Sequence, residues 1–251
     1  MADIVLHAEN MVKGFGALMA VNDVTMSMER GKLTLLMGPN GCGKTTFLNL
    51  CTGVLKADAG IVTLNGEDIT GLRPHKIYEK GFVRTFQIPL PFESMTVLDN
   101  VLAAMKSIGE NPLYAWNPKA WESEEEEHIK QALGILKRVG LYEHWDKLAN
   151  TLGGGHSKLL ELARGMASGA NLIALDEPIG GCDPAFADEI FTYITSVKKS
   201  MGITFFVIEH RIDIAAPYAD HAYVMESGKL IAEGTSEDVT TDPRVQEIYI
   251  G

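Results

Sequence analysis

Residues 38–45 read Gly38-Pro39-Asn40-Gly41-Cys42-Gly43-Lys44-Thr45, and no other stretch of the chain limits its fold so tightly. The pattern is G-x-x-x-x-G-K-[ST]. Its glycines let the backbone curl until successive N–H groups point inward at phosphate oxygens, and the helix that follows adds the positive end of its dipole. Lys44 is placed to reach β- and γ-phosphates, and the Thr45 hydroxyl to ligate Mg²⁺, with Thr46 beside it. The flanks agree with this reading. Residues 33–37 are a nearly continuous apolar run, as in a strand buried on both faces, and residues 44–51 read as helix. The loop therefore demands a strand–loop–helix unit, a building block of α/β folds.

The rest of the chain fits around that unit. Residues 4–6 and 24–28 read as strands, the second alternating apolar with polar, and residues 61–64 run into Asn65-Gly66, a tight-turn pair. From residue 96 to 167 the pattern turns helical. Val97, Asn100, Val101 and Met105 fall at helical spacing, Pro112 and Pro118 break it, and Ile129, Leu133, Leu136 and Val139 mark a second amphipathic helix. Between them, residues 122–127 hold five glutamates. They read as a solvated first helical turn, with ion binding as the other reading. Residues 172–175 and 203–208 are buried-strand runs separated by a helical segment at 187–198. Alternation of this kind predicts a mostly parallel sheet with crossover helices. The expected organisation is a single domain, with an α/β core at about 1–92 and 168–251 split by a helical insertion at about 93–167.

Other residues carry chemistry only in that context. Residues 171–178, Asn-Leu-Ile-Ala-Leu-Asp-Glu-Pro, end a buried strand in two carboxylates. Asp176 is suited to hold Mg²⁺ through water and Glu177 to polarise an attacking water; a carboxylate-capped turn is the alternative. His210 follows the strand at 203–208, on the side of an open α/β sheet where ligands bind. Gln87 follows another strand-like run, Phe82-Val83-Arg84-Thr85-Phe86. Leu152-Gly153-Gly154-Gly155-His156 precedes an amphipathic helix with Leu159, Leu160, Leu162, Ala163 and Met166. Those glycines read as a helix-start turn or as a second phosphate-facing nest.

Composition closes off several classes. With 22 Lys+Arg against 33 Asp+Glu, the net charge is −11, so the chain has no general footprint for nucleic acid or anionic lipid. Cys42, Cys51 and Cys182 lack metal-ligand spacing and suggest a reducing compartment. No run approaches the ~20 apolar residues of a membrane span, and the first ten residues do not read as a signal peptide.

Taken in order, these motifs resemble an ABC transporter ATPase subunit over essentially the whole chain. The resemblance implies an α/β fold: a P-loop ATPase with a mixed-sheet core, an N-terminal antiparallel β subdomain and an inserted helical subdomain. It implies ATP and Mg²⁺ as ligands, and head-to-tail pairing with a second ATPase subunit, identical or different. It also implies membrane permeases and, indirectly, a binding protein as partners, and a cytoplasmic position on the inner face of the membrane. The Gln87 position would contact Mg²⁺ or water and signal to the membrane subunit, His210 the γ-phosphate. Asp183, in Gly181-Cys182-Asp183, would lie in the loop crossing the dimer interface. Phe15 matches the position whose ring stacks on adenine, although one aromatic between Gly14 and Gly16 is equally suited to packing. The family signature Leu-Ser-Gly-Gly-Gln is altered: Gly153 replaces its serine and His156 its glutamine. Residues 83–87, the segment around 111–126, residues 208–211 and the ending 245–251 look like the ATPases of branched-chain amino-acid importers, whose relatives serve urea and short amides. Other readings are an ATP-dependent clamp without transport, a partner that binds ATP without hydrolysing it, and a small-molecule kinase.

Overall fold

Strand β3 (Leu33–Met37) has every residue buried, as a strand covered on both faces must. It was located in a computed structural model that describes residues 3–107 and 118–250. The other strands are β1 (Ile4–Phe15), β2 (Leu18–Glu29), β4 (Ala59–Leu64), β5 (Glu67–Asp68), β6 (Phe82–Arg84), β7 (Leu172–Asp176), β8 (Thr204–Glu209), β9 (His221–Glu226) and β10 (Lys229–Gly234). A six-stranded sheet runs β10-β9-β3-β8-β7-β6. Its pairs are parallel from β9 to β6, and only β10 is antiparallel. The C-terminal ends of β3, β6, β7 and β8 therefore share one edge. Helix α1 (Lys44–Cys51) begins there, and its Phe47 packs edge-on against Phe206 of β8, with ring centroids 6.4 Å apart.

A second sheet, β2-β1-β4-β5, is antiparallel throughout. Strands β1 and β2 are each 12 residues long, much longer than their short strand-like patches suggest. The cause is bulging. Asn10 (φ 48°) and Asp23 (φ 59°) sit at register shifts, and the Asn10 Nδ2 donates to Asp23 Oδ1 at 2.8 Å. Each extra residue reverses the in–out order of those that follow, so strict alternation disappears while pairing continues. The turn at Asn65 (φ 52°) and Gly66 (φ 79°) forms as expected.

The chain divides into two units. The first holds Met1–Gln87, Asn171–Gly180 and Thr195–Gly251, and contains both sheets. The second holds Ile88–Ala170 and Gly181–Ile194. Its helices are α3 (Val97–Leu102), α4 (Pro118–Arg138), α5 (Gly154–Ala167) and the first part of α6 (Pro184–Met201), following α1 and α2 (Pro74–Glu79) of the first unit. Thr96 and Asp99 close a reciprocal cap on α3. Buried Ala132, Ile135 and Leu136 form the inner face of α4, and Val139 is buried just past its end. Asp183 caps α6 by accepting from the Phe186 N–H at 3.1 Å, and Pro184 supplies the first turn, so this helix starts earlier than residue 187.

Two expectations change. Pro118 begins α4 rather than breaking a helix, because a proline at the first position gives up no helical hydrogen bond. The glutamates at 122–127 consequently lie past the first turn, which carries no acidic residue. Glu125, Glu126 and Glu127 are exposed, so solvation explains them and the helix dipole does not. Pro112 and the rest of residues 108–117 lie outside the described residues.

Asp220 pins the start of β3. Its backbone N–H donates to Leu33 O at 2.9 Å. Its Oδ2 accepts from the Leu33 N–H at 2.7 Å and from Lys198 Nζ at 2.5 Å. Burial works against the charge, but these donors prevail and hold the carboxyl below its usual range. A depressed native pKa stabilises the fold above the unfolded-state value of about 4, and that contribution fades as pH falls through the native value. Asp220→Asn is therefore expected to lower the urea midpoint at pH 7, with the gap to wild type closing below about pH 4.

Candidate functional site

Four loops meet at the C-terminal edge of the parallel strands. The first, residues 38–43, leaves β3 and curls into α1. Gly38 (φ 150°) and Gly43 (φ 112°) are obligatory: a Cβ would lie 2.1 Å from Met225 O at the first and 2.1 Å from Ala20 O at the second. The curl closes around Lys44, which is 5% exposed and donates from Nζ to Gly38 O (2.7 Å) and Pro39 O (3.0 Å). Burial raises the pKa of the adjacent Cys42 thiol. A cleft of about 230 Å³ opens over this loop, lined by Phe15, Leu18, Ala20, Asn40, Gly41, Gly43, Lys44, Thr45, Thr46 and Glu177. Phe15 is half-exposed there, with Lys13 Nζ 5.6 Å from its ring centroid.

The second loop follows β7. Asp176 is 4% exposed, and the Thr45 hydroxyl bonds to its carboxylate. Burial pushes its carboxyl above the usual range against the pull of Arg84, and the neighbouring charge of Glu177 adds to the rise. Glu177 adopts φ 51°, a left-handed conformation that costs a non-glycine residue about 1–3 kcal/mol. It is held by its N–H donating to Ile208 O at 3.0 Å and its carbonyl accepting from the Gly180 N–H at 3.1 Å. Strain of this kind turns the Glu177 side chain into the cleft, where it is a lining residue.

The third loop leaves β6. Gln87 Nε2 donates to Glu177 Oε2 at 2.6 Å. The fourth leaves β8: His210 Nδ1 lies 3.7 Å from Glu177 Oε1 and 3.8 Å from Glu209 Oε2, without a hydrogen-bond partner of its own. Glu209 is fully buried. Its Oε1 accepts from the Ile179 N–H at 3.0 Å and its Oε2 from the His210 N–H at 3.2 Å, so it ties the second loop to the fourth. Its role was hidden in the sequence because a glutamate at a strand end looks like any other; its signal is the apolar run before it, the same one that marks Asp176.

The structure thus brings Phe15, residues 38–46, Gln87, Asp176, Glu177 and His210 together in the first unit. Gly153, Gly154, Gly155 and Asp183 belong to the second. There Gly153 is the N-cap of α5 (φ −67°, ψ 161°) with no side-chain cap, and nothing lies within 4 Å of a Cβ built on it or on Gly154. Gly155 is the one that packing requires, since a Cβ would fall 2.2 Å from the Phe186 ring. The His156 ring meets Phe186 at a tilt (centroids 5.4 Å apart) and His144 edge-on (5.1 Å). The glycine run therefore starts a helix whose first turn packs on α6, the helix that Asp183 caps.

The donor set fits a magnesium nucleotide. Among the described residues no cluster of three or more His, Cys, Asp or Glu could hold a metal by itself. Mg²⁺ usually takes one or two carboxylates and completes its shell with phosphates and water, and Asp176 beside Thr45 offers that. No helix among the described residues is long and apolar enough to cross a membrane.

Known proteins are similar to this chain over nearly its whole length. The family profile for ABC transporters matches residues 21–180, and one for the branched-chain amino acid ATP-binding cassette transporter matches residues 229–251. A probable branched-chain amino acid transport ATP-binding protein LivG of Methanocaldococcus jannaschii is 45% identical over 98% of this chain and 97% of its own length. Its counterpart in Archaeoglobus fulgidus is 44% identical over 98% and 95%. BraF of Pseudomonas aeruginosa, a high-affinity branched-chain amino acid transport ATP-binding protein, is 34% identical over 98% of both chains. Among solved structures, the ADP conformation of MJ1267, an ATP-binding cassette of an ABC transporter, superposes with a TM-score of 0.84 at 44% identity and 99% coverage of both chains. With a family profile over residues 21–180 and relatives that match over 98% of its length, the chain belongs to the ABC transporter family as an ATP-binding cassette.

Proposed function

We propose that this chain is the ATP-hydrolysing subunit of a membrane importer for branched-chain amino acids. The observation that carries the reading is the meeting of the Lys44–Thr45 loop with Asp176, Glu177, Gln87 and His210 at one sheet edge. Lys44 and the loop amides bind the phosphates, and the Phe15 ring is available to the base. Thr45, Asp176 and Gln87 are the residues that would hold Mg²⁺, which when bound neutralises charge building on the phosphates. Glu177 takes the proton of the attacking water. The Gln87 amide on its Oε2 orients that carboxylate, and His210, 3.7 Å from its Oε1, is the residue that would contact the γ-phosphate.

Cassettes of this family work as dimers with membrane permease components. For this chain we read a head-to-tail dimer, with a like or different ATPase subunit, in which the segment at 152–156 and Asp183 face the partner's nucleotide. Binding drives closure and hydrolysis resets it. The surface that meets the permeases would be residues 86–92. Ile88 is 73% and Leu90 70% exposed, while Asn100 bonds to both backbone groups of Phe92 and Arg164 Nη1 donates to Leu90 O at 3.2 Å. The assembly would sit on the cytoplasmic face of the membrane and be supplied by an extracytoplasmic binding protein.

Glu177→Gln is expected to abolish ATP turnover and to trap an ATP-dependent dimer, read by kinetics and by size-exclusion chromatography with light scattering. A variant that still hydrolyses ATP would overturn the assignment of Glu177. The altered signature favours a second reading, in which the partner's site is weakened. Gly153 keeps an N–H but lacks the serine hydroxyl, and a hydrogen bond to a charged group is worth ~1.5–3 kcal/mol. Replacing a serine cap by glycine costs only a few tenths of a kcal/mol in helix stability, so the two effects separate. Gly153→Ser should raise ATP affinity at the partner's site about tenfold to a hundredfold and leave the thermal midpoint nearly unchanged; an unaltered affinity sinks the idea.

A further inference from the structure

Arg84 has no part in the chemistry derived above, yet its guanidinium engages three other residues of the first unit. Its side chain is 11% exposed. Nη2 lies 3.3 Å from Asp176 Oδ2, Nη1 donates to the Asn49 side-chain carbonyl on α1, and the guanidinium sits 5.1 Å over the Phe86 ring. Its Nε is buried without a partner. The backbone fixes the same registry: Arg84 pairs with Ala174 of β7, and the Thr85 N–H donates to Ala174 O at 2.9 Å before the chain departs. Three residues on, Gln87 grips Glu177. One strand end thus holds both carboxylates, Arg84 the first and Gln87 the second.

We propose that Arg84 is a positioning residue that orients the Asp176 carboxylate for Mg²⁺ and links that orientation to the loop at residues 85–87. A guanidinium anchored on α1 and on β7 is a rigid fork, and a lysine in its place would keep one charge contact but not the bridge. Asp176 has two oxygens. Arg84 takes Oδ2, so Oδ1 is the oxygen that would serve the cation, with the Thr45 hydroxyl nearby. Because Arg84 and Gln87 lie on one short stretch of backbone, a displacement of that stretch disturbs both carboxylates together. The inference rests on the reading of Asp176 as the Mg²⁺-supporting carboxylate.

The test uses the full chain with Arg84→Met, Arg84→Lys and Asn49→Ala. Two quantities separate positioning from plain structural damage: the affinity for ATP in excess EDTA, and the Mg²⁺ concentration at half effect when ATP raises the melting temperature. Residues that orient a metal's ligands typically change metal affinity about 10–100-fold. Arg84→Met should therefore shift the Mg²⁺ midpoint at least about tenfold and leave Mg²⁺-free ATP affinity within about twofold, with Arg84→Lys in between. An unshifted midpoint in folded Arg84→Met overturns the proposal, and so does equal weakening with and without Mg²⁺. Should Arg84→Met fail to fold, Asn49→Ala decides: a smaller shift in the same direction supports the bridge, and no shift overturns it. A wild-type chain whose response to ATP ignores Mg²⁺ overturns the reading of Asp176 itself, a separate failure visible before any variant is made.

Discussion

Everything in the site depends on parallel pairing. Strands β3, β6, β7 and β8 point the same way, so four loops from distant parts of the chain end at one edge. Parallel strands must be buried on both faces, and β3, β7 and β8 have no exposed residue. The same burial that makes the sheet possible places Lys44, Asp176 and Glu209 where an unpaired charge would be costly. Each has partners: loop carbonyls for Lys44, Arg84 and Thr45 for Asp176, and the Ile179 and His210 amides for Glu209. These charges are thus held inside a low-dielectric frame, where their interactions are strongest.

The segment from Arg84 to Gln87 joins that frame to the surface. It is short and bonded to both carboxylates, and it continues into the exposed apolar residues Ile88 and Leu90. An external contact at those residues has a direct covalent path to the residues that bond both carboxylates. Glu177 adds a second source of sensitivity, because its strained backbone persists only while the surrounding hydrogen bonds hold it.

Much of this was legible from residues alone, for reasons that differ by element. The phosphate loop is legible because few other sequences satisfy its backbone, and Gly38 and Gly43 indeed occupy positions that no side chain could. The buried strands were legible because double-sided burial leaves an unbroken apolar run. Strands β1 and β2 were only half legible, since bulges at Asn10 and Asp23 erase the alternation that marks a strand. The start of α4 is hard to place in the sequence, because a proline that opens a helix reads the same as one that breaks it. Arg84 and Glu209 could not be singled out, because their importance lies in pairings across 92 residues in one case and 30 in the other. Spacing along a chain does not encode those contacts.

The central claim is that the curl around Lys44 is a nucleotide site. Its most direct test is equilibrium titration of the wild-type chain and of Lys44→Ala with Mg·ATP. The account predicts one site per wild-type chain and an affinity about tenfold to a hundredfold weaker in the variant, the worth of one charged hydrogen-bonding group. A Lys44→Ala chain that binds Mg·ATP as tightly as wild type would contradict it.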